Sequence, residues 1–224
     1  MENLAPKYTG SLRSFMLNVP EEIRNCSGII LFGRKLRSFL FSTDISIIAN
    51  CNADAIIAVY PFTPQPIITQ AVMLAAQVPV LAGVGGGWTK GNRVVDLARH
   101  AEFQGAAGVV VNAPTANDTI TEVAKHIDIP IVVTVVNLDV DIDARLKAGA
   151  AILNVSAASK TPEVIRTIRK EFPQVGIIAT GGPSTESVKE TIAAGANAIT
   201  WTPPSNGEVF KSVMDNYRNN KAHP

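Results

Sequence analysis

The chain has 224 residues, 46% of them hydrophobic and 17% charged, with a net charge of +1. That is enough apolar material for one large core, and the charge shows no basic face or tail, which excludes nucleic acid and an anionic membrane as expected partners. Two cysteines, Cys26 and Cys51, build no disulfide framework, and no apolar run approaches the ~20 residues of a membrane span, so a reduced, cytoplasmic setting is expected.

The first 37 residues stand apart from the rest of the chain. "VPEEIRN" reads as a short helix entered through Pro20, and "GIILFGRKLRSFLF" as a hairpin turning near Gly33 and Arg34. Residues 1–37 are expected to form an extension closing the bottom of a barrel. No linker divides the chain, so 1–224 is read as one domain.

From Ser38 onward, eight apolar, β-rich runs recur: "SFLFST", "AIIAVY", "PVLAGV", "GVVVNA", "PIVVTV", "AILNVS", "GIIATG" and "AITWTP". Each is nearly continuous rather than alternating, the pattern of strands buried on both faces of a parallel sheet. Helical stretches separate them. "TPEVIRTIRKEF" places Thr161 as N-cap and Pro162 at the first helical position; "STESVKETIAAGA" starts on Ser184, with Ser187 at the capping-box position, and stops at Gly195. Gly105 and Gly149 end two further helices in the same way. The paired unit recurs about every 45–50 residues, four times over, which predicts a (β/α)8 TIM barrel with an N-terminal helix and hairpin extension.

In such a barrel the functional residues lie at the strand C-termini and in the loops after them. Those positions hold Asp44 after the first barrel strand and Tyr60 after the second. "GVGGGWTKGNR", with Gly85, Gly86 and Lys90, comes after the third and Asn112 after the fourth. Thr134 lies on the fifth, while Asn154, Ser156 and Lys160 belong to the sixth. The seventh contributes Thr180, Gly181, Gly182 and Ser184, and the eighth Thr200, Thr202, Asn206 and Glu208. Glycines at the seventh junction let backbone amides approach an anion, and the adjoining helix start points its dipole there. A glycine turn with ordinary serine capping is the competing reading.

The segment "IIATGGPSTESVKETIAAGANAIT" resembles the strand-seven-to-eight region of the ribulose-phosphate-binding barrels, including 2-keto-3-deoxy-6-phosphogluconate aldolase and N-acetylmannosamine-6-phosphate epimerase. The chain also resembles an uncharacterised group of bacterial barrels that carry the label hydrolase. The resemblance implies a phosphate cup completed after strand eight. Thr202-Pro203-Pro204 departs from it, since prolines donate no N–H, so the anion is either held differently or is a carboxylate. It also implies a strand-six Schiff-base lysine, for which Lys160 is the candidate and a surface lysine the competing reading.

Asp44 is the candidate general base or metal ligand, with helix capping as its alternative; Glu208 is a further acid, with dipole complementation as its own. "DVDID" at 139–143 lacks a calcium-loop pattern, and His100, His126 and His223 fall in helices or the tail, so no metal site and no cofactor are expected. The anion-binding set expected is Gly85, Gly86, Lys90, Asn112, Asn154, Ser156, Thr180, Gly181, Gly182, Ser184, Thr202 and Asn206. The expected function is a metabolic enzyme, of lyase or isomerase type, for a small phosphorylated or carboxylated metabolite. The alternatives are a non-catalytic metabolite sensor and a hydrolase. Homo-oligomerisation is a habit of small barrels.

Overall fold

The computed structural model describes residues 5–8, 10 and 17–221. A 3-10 turn at Glu21–Asn25 comes after Pro20, and β1 (Ile29–Leu31) pairs antiparallel with β2 (Arg34–Leu36) around Phe32 and Gly33. Gly33 holds φ +78°, the left-handed conformation that glycine adopts without a Cβ penalty.

Eight parallel strands close into a barrel. They are β3 (Ser38–Phe41), β4 (Ala55–Ala58), β5 (Val80–Gly85), β6 (Gly108–Val111), β7 (Ile131–Val135), β8 (Ala150–Val155), β9 (Gly176–Thr180) and β10 (Ala198–Trp201), with β10 returning to β3. Each expected barrel strand is present. The helices are α1 (Ile45–Ala49), α2 (Pro66–Ala75), α3 (Asn92–Phe103), α4 (Asn117–Ala124), α5 (Ile142–Lys147), α6 (Thr161–Glu171), α7 (Thr185–Ala193) and α8 (Asn206–Arg218). The fold is a (β/α)8 TIM barrel.

Two apolar layers result from the strands' period of two. Outward-facing strand residues meet the helices: Val164, Ile165 and Ile168 of α6 are buried there, each stabilising by about 1.5–3 kcal/mol. Inward-facing Phe39, Ile57, Leu81, Val110, Val132 and Ile178 fill the barrel, and Leu31 and Leu36 of the hairpin belong to the same cluster. The hairpin meets the strands at their N-terminal ends, where the Gly28 amide donates to the Asn197 carbonyl at 2.8 Å. The C-terminal ends are left to the loops.

One helix start differs from the sequence expectation. Thr161 lies inside α6, preceded by a 3-10 turn at Ala158–Lys160, so Lys160 takes the N-cap position. The Thr161 hydroxyl accepts from the Ala157 amide at 3.0 Å and so stabilises that extra turn. Ser184 and Ser187 form the expected capping box, and Gly105, Gly149 and Gly195 end their helices at positive φ.

Candidate functional site

Above the apolar filling, the inward positions of the C-terminal half of the barrel change character. Continuing the period of two from Val132, Ile152, Ile178 and Ala198 gives Thr134, Asn154 with Ser156, Thr180 and Thr200. Hydrogen bonds confirm that they face one another: the Asn154 amide nitrogen donates to the Thr134 hydroxyl at 3.4 Å, and the Thr180 hydroxyl to that of Ser156 at 3.2 Å. Thr200 is only 7% exposed. The Thr200 hydroxyl and the Asn154 side-chain oxygen are buried with no hydrogen-bond partner among the described residues. A buried polar atom without a partner costs roughly 1–3 kcal/mol, so its natural complement is a ligand group or ordered water. Turning the Asn154 amide over leaves its nitrogen facing the same space, so one polar atom of this side chain faces it in either orientation.

On the opposite side of the barrel mouth, a cleft lies between the loops after β4 and β5. Val59, Tyr60, Phe62, Gly83, Trp88 and Asn112 contribute to its wall, and Val110 ties it to the barrel interior. The Tyr60 hydroxyl accepts from the Gln65 amide at 2.7 Å, which fixes the loop that carries Phe62. The glycine loop is fixed too. The Asn112 amide donates to the Gly85 carbonyl at 2.9 Å, and the Gly86 amide donates to the Thr89 carbonyl at 3.0 Å. The Gly86 amide is therefore engaged within the chain.

The anion-binding residues expected at the seventh junction have structural duties. A Cβ on Gly181 would lie 2.8 Å from Ile199 and 2.9 Å from Val188, so this glycine lets α7 approach the sheet; Gly182 holds φ +80° against Ser187. The Ser184 amide donates to the Ser187 hydroxyl at 3.1 Å, and the Ser187 amide to the Ser184 hydroxyl at 3.2 Å. The Glu186 carboxyl is held below its usual range by its own backbone amide and by the Ser184 hydroxyl, which puts a negative charge at this helix start.

The candidate acids are turned to their own helices. Asp44 caps α1: its Oδ1 accepts from the Ser46 amide at 2.8 Å, the Ser46 hydroxyl at 2.7 Å and the Ile47 amide at 3.2 Å. The Ser46 hydroxyl chiefly, with the two amides, holds its carboxyl below the ordinary value against a smaller opposing effect of burial. Glu208 closes a capping box on α8, accepting from the Ser205 amide and hydroxyl, each at 2.7 Å, and these bonds lower its carboxyl likewise. Lys160 is exposed on its 3-10 turn, and Lys90, Thr202 and Asn206 are exposed at the rim. Of the site residues expected from the sequence, the structure turns Asn154, Ser156 and Thr180 inward onto the polar ring, while Gly85 and Asn112 line the cleft. It adds Thr134, Thr200 and the Phe62–Trp88 cleft, which strand register and loop shape select.

Among the described residues no three His, Cys, Asp or Glu side chains converge. Asp141 caps α5 and Asp143 pairs with Lys147. Among the described residues no helix is long and apolar enough to cross a membrane.

No family model matches the chain. A 4-hydroxy-tetrahydrodipicolinate synthase of Gluconacetobacter diazotrophicus is 33% identical over 148 residues, covering 54% of this chain and 49% of that protein. The chain thus spans about half the length of this curated relative. Among solved structures, a phosphonopyruvate hydrolase superposes with TM-score 0.64 at 14% identity, over 86% of this chain and 85% of that one. The phosphoenolpyruvate phosphomutase of Streptomyces platensis subsp. rosaceus gives 0.61 at 14%, over 82% and 83%. The 4-hydroxy-tetrahydrodipicolinate synthase of Methylacidiphilum fumariolicum SolV gives 0.58 at 13%, over 82% and 74%. At these identities the structural likeness is one of fold.

Proposed function

We propose that the chain is a metabolic enzyme of lyase or isomerase type, whose ligand is a small carboxylic acid held inside the C-terminal mouth of the barrel. One observation carries the reading: Thr200 and Asn154 each keep a buried polar atom without a partner, on a ring of hydroxyl and amide groups. The Thr200 hydroxyl, and the Asn154 amide once turned over so that its nitrogen faces the space and its oxygen accepts from the Thr134 hydroxyl, are neutral donors that bind an anion through charge-assisted hydrogen bonds, and Lys90 at the rim attracts it from solution. The names of the sequence relative and of the structural neighbours point to acids of the pyruvate and dipicolinate kind, which supports a carboxylate over a sugar phosphate. The self-capped start of α7 supports the same choice. The likeness to the phosphogluconate aldolase and the epimerase then extends to architecture and to the "GG" junction alone.

In this reading Asn112, Asn154, Ser156, Thr180 and Thr200 orient the acid, and Asp44 at the rim is the proton carrier to test. A Schiff-base route through the sixth strand is disfavoured, because Asn154 and Ser156 take its inward positions and Lys160 is exposed. The test is a thermal-shift and calorimetry screen of oxo acids, hydroxy acids and sugar phosphates, repeated on Thr200→Val. A carboxylic acid whose affinity falls about tenfold in Thr200→Val is expected, the cost of one hydrogen bond to a charged group. Binding of sugar phosphates alone, unaffected by that variant, overturns the reading.

A second reading, a non-catalytic metabolite sensor, is favoured by one feature: the inward ring is built of Thr, Asn and Ser, with no ionisable side chain. Tight binding without turnover, and without change in Asp44→Asn, selects it.

A further inference from the structure

We infer that the acid accepted by this site carries an apolar or aromatic arm, which lies in the cleft between Tyr60, Phe62 and Trp88 while the polar head reaches the Thr200–Asn154 ring. This rests on the reading of the barrel mouth as an acid-binding site and names the class of acid. Three observations support it.

The cleft reaches the barrel interior on the side of β5 and β6, and the ring occupies the β7–β10 side of the same barrel. Val110 belongs to the barrel's inner cluster and also lines the cleft, and Gly83 lines the cleft from an inward position on β5. A Cβ at Gly83 would come within 3.0 Å of the Ala58 carbonyl and of Val59, so a glycine here lets the end of β4 approach β5 closely. Hydroxyls and amides gather on the β7–β10 side of the mouth and aromatic side chains on the loops after β4 and β5.

The cleft wall is uncharged throughout, and its largest members are aromatic or aliphatic. A dicarboxylate or phosphate extended into it would lose hydration without gaining a cation, whereas an apolar arm gains from the transfer. Pockets for small ligands combine such apolar walls with a few convergent polar groups.

Two aromatic side chains on adjacent loops are largely solvent-exposed, Trp88 at 96% and Phe62 at 72%, yet both line this cleft. The loops beneath them are tied down by the Tyr60–Gln65 and Gly86–Thr89 hydrogen bonds, so the two rings have anchored backbones and uncovered faces. Aromatic rings held this way stack on a flat or apolar partner at little conformational cost.

The experiment measures pyruvate against phenylpyruvate, and lactate against phenyllactate, by calorimetry. It uses the wild type, Thr200→Val and the double variant Phe62→Ala/Trp88→Ala. The wild type is expected to prefer each phenyl acid about tenfold, the gain from covering one ring. Thr200→Val should weaken all four acids while keeping the preference, and the double variant should reduce it below about threefold. Plain acids that bind with a Thr200 dependence but no phenyl preference overturn this inference and leave the acid site standing. Failure of all four acids to bind overturns both. A double variant that keeps the preference overturns the arm, and one that also changes sedimentation assigns the rings to contact with a second copy instead. Both side chains are solvent-exposed, so their removal leaves the core intact, and an unchanged melting temperature verifies it.

Discussion

The guanidinium of Arg145, on α5, donates to the main-chain carbonyl of Ala113 at 2.9 Å, joining α5 to the loop after β6, 32 residues away in sequence. The same side chain donates to the Thr115 carbonyl and, at 3.0 Å, to the Asn117 side chain. Arg145 is only 8% exposed, and no carboxylate pairs with it among the described residues. The planar fork therefore acts as a bracket for the turn after Asn112. Arg145→Ala leaves the buried Thr115 carbonyl and the partly buried Ala113 carbonyl without this donor and should cost about 2–4 kcal/mol, or roughly 5–15 °C in Tm. Arg145→Lys, with one point charge in place of the fork, should recover less than half of that loss. Thermal melts of both variants decide it; a Tm within about 2 °C of wild type in Arg145→Ala would dismiss the bracket.

Gly86 and Gly87 adjoin in sequence but differ in constraint. Gly86 holds φ +101°, and a Cβ there would strike the Thr115 hydroxyl and come within 2.9 Å of the Asn112 amide. Gly87 has open space around it and no positive φ. Gly86→Ala should therefore destabilise by about 2–4 kcal/mol, from left-handed strain together with displacement of the Asn112 turn. Gly87→Ala should change stability by no more than about 1 kcal/mol, with a gain if anything from reduced unfolded-state entropy. Equal effects in urea melts would contradict the assignment.

Asp44 makes the stability of α1 sensitive to acid. Its carboxyl is depressed in the folded protein, so its contribution is present above the unfolded value of about 3.9 and is lost as pH falls through the lower folded value. Asp44→Ala should lower stability by about 1 kcal/mol at pH 7, roughly 2–4 °C in Tm. The gap between variant and wild type should narrow progressively below about pH 4, and Asp44→Asn, which keeps an acceptor, should lie between them. A gap that stays constant down to about pH 2.5 would remove the charge from the argument.

Cys26 is 4% exposed, and burial pushes its thiol up to about 11, with Asp54 adding to the rise and Arg37 opposing it. Cys51 is half-buried and raised for the same first reason. At about pH 8 both remain protonated and poorly nucleophilic. Titration with an aromatic disulfide reagent should modify Cys51 slowly in the native protein, and Cys26 only after unfolding in urea. Rapid native modification of Cys26 would contradict its burial.

Much of the architecture was readable from the chain. The continuous apolar runs at 55–58, 108–111 and 131–135 marked doubly buried strands, because both faces of a barrel strand lie in apolar surroundings. Ser184 with Ser187, and the glycines at 105, 149 and 195, marked helix ends, because caps are made by residues adjacent in sequence. Thr161 misled, since the residues before it add a 3-10 turn that its own hydroxyl stabilises.

The site was readable only in part. Asn154, Ser156 and Thr180 were marked by their place at strand ends, and the structure turns them inward. Thr134 and Thr200 carry the same signal, two residues beyond an inward apolar position, but as hydroxyls among many they do not stand out. Asp44 and Glu208 stand out as acids, yet their oxygens engage the backbone and hydroxyls of their own helix starts. Arg145 had no sequence signal, because its partners lie 28 to 32 residues away.

The sequence by itself determined the number of strands, their parallel order and most helix ends, because hydrophobic period and capping depend on neighbours within a few positions. Only the tertiary structure decided which strand-end residues face one another, and which keep a buried polar atom without a partner. Closing the sheet brings Thr134 opposite Asn154 and Thr180 beside Ser156. That outcome depends on register between strands about 20 residues apart, where a shift of one residue would turn the same side chains toward the helices.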